Sequence, residues 1–393
     1  VTAARRPPRR LAHPHRRAGV VGAVLGLAVA GAAVGVGVSR AAARRVGAER
    51  LGSAAGLAPG ASDAELREDD PLGPASRRAD RTALVPADDG VLLAVEEVGP
   101  PDAPLTVVFV HGYCLSMASW TFQRRALGAA LATANGSRPT ARLVFYDQRG
   151  HGASGRGTVE HATMEQLGRD LDAVLRARVP HGPVVLVGHS MGGMTVMALA
   201  ELRPELFGTK VVGAALLSTS SGNLAELDFG MPELLTRVRA ALLPVAAFTM
   251  RRRPALAERT RRLARDLVSH LTWSLSFASA DVDPALGRYV DAMIAGTPVE
   301  VIAAFYPALA GLDETGALAP LRAVPTLVLT GAEDALIPKE HSDAIVEGLP
   351  GAEYVVVPDA GHMVLLEKPE EVTAALSALI RRVAAELPTG AGR

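Results

Sequence analysis

Ser190 stands in Gly188-His189-Ser190-Met191-Gly192, directly after the apolar run 183–188 (PVVLVG) and directly before an apolar helical stretch. A serine hydroxyl is a weak nucleophile until a base takes its proton and a third group orients that base. Gly188 and Gly192 permit a strand–turn–helix corner so tight that the serine's neighbours must be small. Such a corner lifts Ser190 clear of the strand and aims it at the start of the next helix. There the dipole and free N–H groups stabilise an oxyanion. The remaining two groups follow downstream. Run 326–330 ends in Gly331-Ala332-Glu333-Asp334, and run 354–357 leads into Asp359-Ala360-Gly361-His362. Ser190, Asp334 and His362 in that order suit acyl transfer by a nucleophile–base–orienter triad. Glu333, Asp147 and Asp359 are rival carboxylates. His111, His151 and His189 are rival bases, each read as a loop-fixing hydrogen-bonder because it lies in a glycine-flanked turn.

These residues need a scaffold that brings strand ends together. Runs 82–85 and 91–98 flank the turn Asp88-Asp89-Gly90, a hairpin pattern. Short apolar runs at 105–110, 143–146, 184–187, 211–217, 326–329 and 354–357 suit strands buried on both faces. Helical stretches such as 191–202 and 372–386 alternate with them, which predicts an α/β sheet covered on both sides. Between Ser220 and about Asp313 the strand pattern gives way to helical periodicity. The expectation is one domain over 82–388, with a helical insertion at about 221–313.

That domain resembles the α/β-hydrolases of the esterase, lipase and perhydrolase-like group. Four motifs carry the resemblance: Val110-His111-Gly112-Tyr113, Asp147-Gln148-Arg149-Gly150-His151-Gly152-Ala153-Ser154, Gly188-His189-Ser190-Met191-Gly192-Gly193, and the Asp334 and His362 loops. It implies a mostly parallel central sheet flanked by helices, with the insertion as a cap over the active site. It also implies that the N–H groups of Tyr113 and Met191 form the oxyanion hole, and that Asp147 and Arg149 shape a loop. Related haloalkane dehalogenases and epoxide hydrolases carry aspartate where Ser190 stands, which argues against both. No His-Gly-Gly-Gly run of the hormone-sensitive-lipase type is present. The implied reaction is two-step acyl transfer on a small-molecule ester or lipid-like substrate, with neither metal nor organic cofactor. Perhydrolase or haloperoxidase, thioesterase and C–C bond hydrolase chemistry share these motifs. A non-catalytic ligand-binding protein on the same frame is disfavoured, because all three triad candidates are present.

Composition bounds the rest. Of 393 residues 49% are hydrophobic and 21% charged, enough for a sizeable core. Cys114, the one cysteine, excludes a disulfide framework and a cysteine-rich metal site. The 41 basic and 41 acidic residues balance only in total. Residues 1–50 hold ten arginines and one acid, a net +9 that leaves −9 on the remainder. A basic tail, 1–17, precedes the uncharged run 18–38, whose 21 residues would span about 31 Å as a helix. This predicts a single-pass transmembrane anchor with the catalytic domain outside, since six arginines precede the run and fewer follow. A signal peptide cleaved near Ala41-Ala42-Ala43 is the rival, giving a secreted protein. Residues 39–81 read as a linker and 389–393 as a tail. Gly22/Gly26 and Gly31/Gly35 have helix-packing spacing, but the oligomeric state stays open. In the insertion, 240–250 (AALLPVAAFTM) suits cap core, an acyl tunnel or a lid. Residues 237–265 carry nine arginines and one acid, suited to a solvated face or anionic lipid. With almost no aromatics interleaved, that stretch does not predict nucleic-acid binding.

Overall fold

The runs Thr106–Val110 and Arg142–Tyr146 are buried along their whole length, so neither can border solvent. They form β3 and β4 in the middle of an eight-stranded sheet. The computed structural model describes residues 71–73, 78–132, 141–224, 252, 273–279 and 282–387. Within them the other strands are β1 (Arg81–Pro86), β2 (Leu92–Val98), β5 (Val184–His189), β6 (Val211–Leu217), β7 (Thr326–Gly331) and β8 (Glu353–Val357). Their order is β1-β2-β4-β3-β5-β6-β7-β8. β1 and β2 are antiparallel to their neighbours, and β4 through β8 run parallel. The fold is that of an α/β-hydrolase, with helices on both faces of a mostly parallel sheet.

Side chains alternate between two apolar layers, as a strand's period of two requires. Val108, Val144, Leu186, Leu216 and Val328 point into one layer with helices α2 (Met164–Arg178) and α3 (Met191–Leu202). Phe109, Phe145, Val187, Leu217 and Leu329 point into the other, which holds the first and last of the domain's helices. Those are α1 (Thr121–Ala132) and α6 (Pro369–Glu386). The last helix starts earlier than the apolar periodicity suggests. Pro369 fits a first turn, where its missing N–H is not needed, and Glu370 and Glu371 favour the positive helix end.

Topology decides where chemistry can sit. The chain runs from β3 out to β4 and then crosses back to β5 on β3's other side. Neighbouring connections diverge there, leaving a crevice at the carboxyl ends of β3 and β5. The ends of β7 and β8 open on the same edge. Two helices from the insertion, α4 (Pro284–Gly296) and α5 (Val299–Ala310), meet at 93°. Pro298 between them cannot continue α4 and caps α5. A bridge between Gly222 and Asp313 pairs the segments that lead into and out of the insertion.

The Pro71 carbonyl accepts the Thr121 hydroxyl at 2.7 Å, so the predicted linker, 39–81, is held at Pro71 against the start of α1. The run 18–38, the stretch 240–250 and all of 237–265 except Arg252 lie outside the described residues. No single helix among the described residues is long and apolar enough to cross a membrane.

Candidate active site

Ser190 joins β5 to α3 at φ 54° and ψ −123°, a conformation few side chains adopt. Such a backbone costs about 1–3 kcal/mol and persists only where its surroundings impose it. Here they are backbone. A Cβ on Gly192 would lie 2.1 Å from the Val110 carbonyl oxygen, and one on Gly188 would lie 2.4 Å from the Gly192 oxygen. Only glycines let the corner close. The Ser190 N–H donates to the Leu217 carbonyl, and its own carbonyl accepts the Gly193 N–H and the Thr219 hydroxyl. Ser190 is 7% exposed.

Two loops away, His362 Nδ1 lies 2.9 Å from Asp334 Oδ2. With the carboxylate accepting, Nδ1 carries the hydrogen and Nε2 keeps a lone pair for a proton. The other Asp334 oxygen accepts the N–H groups of Leu336 (2.9 Å) and Ile337 (2.8 Å), which fixes the carboxylate's plane. Each rival carboxylate lies elsewhere. Glu333 and Asp359 are exposed. Asp147 uses its two oxygens on the N–H groups of Met117 and Ala153. The His362 carbonyl accepts His189 Nε2–H at 2.9 Å, and the two rings lie 5.0 Å apart. The residue preceding Ser190 thus holds the residue that Asp334 orients.

The loop after β3 lies on the serine corner. A Cβ on Gly112 would be 3.1 Å from Ser190 Cβ and 3.0 Å from His189 Nδ1. Tyr113 follows, half-buried, its hydroxyl donating to the Ile302 carbonyl of α5. Met191 opens α3, where the first N–H groups have no partner within the helix. Gln148 ties these parts together. Its backbone N–H donates to His111 Nε2 and its side-chain amide to the His111 carbonyl, while its oxygen accepts the Thr195 hydroxyl of α3.

The other histidines hold loops. His111 Nδ1 meets the Gly112 carbonyl at 2.7 Å, and His151 Nδ1 meets the Arg149 carbonyl at 2.9 Å. Burial pushes His111 down to about 4 and both His151 and His189 down to about 3, so the rings are neutral near pH 7. Arg149 grips Asp170 with two bonds of 2.6 Å and also reaches Asp89. Among the described residues no cluster of three or more histidine, cysteine or acidic side chains could hold a metal.

Gln148 and Glu367 were not among the expected site residues. Gln148 lies inside a quoted motif, beside residues with stronger chemical signatures. Glu367 bonds Gly361 nearby and Ala278 far away, and the distant half has no signal in the sequence.

The profile of the alpha/beta hydrolase fold family matches residues 106–369. A dihydrolipoyllysine-residue acetyltransferase component of an acetoin cleaving system, from Pseudomonas putida, is 28% identical over 327 residues. The match covers 81% of this chain and 73% of that protein. An sn-1-specific diacylglycerol lipase of Mus musculus is 26% identical, over 71% of this chain and 82% of the lipase. A thermophilic esterase from Thermogutta terrifontis, solved with malate bound, superposes with a TM-score of 0.58 at 28% identity. That superposition covers 77% of this chain and 99% of the esterase.

Proposed function

We propose that this chain, which belongs to the alpha/beta hydrolase fold family, is a serine hydrolase that cleaves a carboxylic ester through an acyl-enzyme. The observation that carries the reading is the 2.9 Å contact between His362 Nδ1 and Asp334 Oδ2, on a loop strapped to the residue before Ser190. In the first step His362 Nε2 takes the Ser190 proton as Oγ attacks the ester carbonyl. The N–H groups of Tyr113 and Met191 hold the resulting oxyanion, each donor contributing about 3 kcal/mol to the transition state. His362 then protonates the departing alcohol. Water, deprotonated by His362, attacks the acyl-enzyme, and the acid leaves as Ser190 recovers its proton. Asp334 holds the tautomer and stabilises the imidazolium.

The esterase and lipase among the related proteins support an ester as the substrate class. The test is Ser190→Ala. It should abolish turnover of a short-chain p-nitrophenyl ester and labelling by a fluorophosphonate. A folded variant with wild-type turnover would remove Ser190 as nucleophile. A wild type that labels but prefers a thioester or peracid over every ester tried would keep the triad and change the substrate.

The run 18–38, flanked by arginines, supports a membrane-anchored form with the hydrolase domain outside the cytoplasm. Protein spanning residues 1–393 should stay with membranes after an alkaline carbonate wash, and protein lacking residues 1–50 should not. Recovery of the 1–393 chain in the soluble fraction would overturn the anchor. A shortened secreted species would indicate a signal peptide instead.

A further inference from the structure

We propose that Glu367 is the positioning residue of the His362 loop, coupling the general base to the cap segment Ser276-Phe277-Ala278. The inference rests on the serine-hydrolase reading above and adds a residue to it.

The short helix Val364–Glu367 follows His362, and its last side chain reaches back. Glu367 Oε1 accepts the Gly361 N–H at 2.8 Å, and Oε2 accepts the Ala278 N–H at 2.9 Å. One carboxylate therefore holds the residue before His362 and a segment 89 positions away. The residue after His362 is held to that segment as well, because the Met363 N–H donates to the Ser276 carbonyl at 2.9 Å. At Gly361 the two backbones touch. A Cβ there would lie 2.7 Å from Ala278 N and 2.8 Å from the Phe277 carbonyl carbon. The base is thus clamped on both sides against the cap, and among the described residues that form these bonds Glu367 alone carries a charge.

That charge has a second effect. Burial raises the Glu367 carboxyl's affinity for its proton, while the N–H groups of Ala278 and Gly361 act against it. Asp334 repels the carboxylate and His362 attracts it, so three titratable groups share one field. A carboxylate accepting two N–H bonds is best satisfied ionised. In that form it adds to Asp334 in stabilising the imidazolium created when Ser190 loses its proton. Loss of Glu367 should therefore loosen the geometry and weaken this support together.

The test compares Glu367→Gln and Glu367→Asp with wild type, using a short-chain p-nitrophenyl ester, a fluorophosphonate and thermal melting. Glu367→Gln should lower kcat about 10- to 100-fold, the range expected when a reacting group is slightly misplaced. KM should change little, and the acid limb of the rate profile should move to lower pH. Glu367→Asp keeps the charge on a shorter arm, so its acid limb should stay near wild type while kcat falls less. It also serves if the glutamine variant does not fold. A lower Tm with unchanged kcat and pH profile would mean that Glu367 only supports the fold, overturning the proposal. Wild-type kinetics in both variants would do the same. A wild type that neither turns over the ester nor labels at Ser190 would overturn the serine-hydrolase reading, and this proposal with it.

Discussion

The Tyr113 hydroxyl donates to the Ile302 carbonyl, 189 residues further along the chain. The loop that follows β3, and that lies on Ser190 through Gly112, is thereby held by helix α5. Tyr113 has two separate jobs in the proposed scheme. Its backbone N–H faces the oxyanion, while its side chain fixes the loop that carries this N–H.

Tyr113→Phe separates them. The backbone donor and the ring remain, and the hydrogen bond to Ile302, worth about 1 kcal/mol, is lost. If that bond sets the loop's position, kcat/KM should fall about 3- to 10-fold, since about 1.4 kcal/mol is a factor of ten in rate. Steady-state kinetics on a p-nitrophenyl ester read this directly. Unchanged kinetics would mean that the loop holds its place without α5.

Asp334→Asn tests the carboxylate. The asparagine side chain fits the same space but can present its NH2 group to His362 Nδ1, favouring the tautomer with hydrogen on Nε2. That tautomer cannot take the Ser190 proton, and a loss of about 10⁴ in kcat is expected from the same change in an established triad. Glu333→Gln should leave turnover near wild type, because Glu333 is exposed. The pair fails if Glu333→Gln proves the more damaging.

Gly192→Ala tests the corner without touching chemistry. The added methyl would sit 2.1 Å from the Val110 oxygen and 2.8 Å from the His111 oxygen. Both are backbone atoms of the strand-to-loop junction beside the corner, so neither can swing away. Destabilisation on the order of 4 kcal/mol or more is expected. Thermal melting or the yield of soluble protein would show it. A variant that melts with wild type would mean that the corner is far looser than its contacts indicate.

What was legible in the sequence followed from local physics. A run with no polar face must be buried on both sides, so β3 and β5 were visible almost to their ends. The serine corner was visible because close backbone approach forces glycine on both sides of Ser190. Arg142 opens β4 although an arginine breaks the apolar run. Its guanidinium is satisfied inside by the Thr106 hydroxyl, with Glu97 beside it. Glu333 and Asp334 are adjacent carboxylates past a strand's end, where no periodicity says which turns inward. Gln148 and Glu367 were missed for a related reason. Gln148 acts on Thr195, 47 residues away, and Glu367 on Ala278, 89 away, and nothing in either one's neighbourhood announces the partner.

Stability should fall from neutral to alkaline pH, and Glu314 should account for part of the slope. Its carboxyl is pushed up to about 8, first by burial and then by the neighbouring carboxylates of Glu201 and Asp313. Glu201 lies in α3, and Asp313 is paired with Gly222 at the base of the insertion. Between an unfolded value near 4.5 and a folded value of about 8, the folded chain binds the extra proton. Stability from this group is therefore full at low pH and is lost as pH rises through about 8. The buried histidines have the opposite sign. His111, His151 and His189 are depressed to about 4, 3 and 3, so their share is lost as pH falls below about 6.5. Above pH 6.5 the histidine contribution is flat, and the slope from Glu314 is exposed. Glu367 and Asp170 are shifted in the same direction as Glu314, so a variant is needed to isolate its share. Glu314→Gln removes the titration while keeping a polar amide between two carboxylates. Wild-type Tm should drop between pH 6.5 and 9, and the variant's should drop less, by about 2 °C or more. Parallel decline of the two melting curves would show that Glu314 does not titrate in this range.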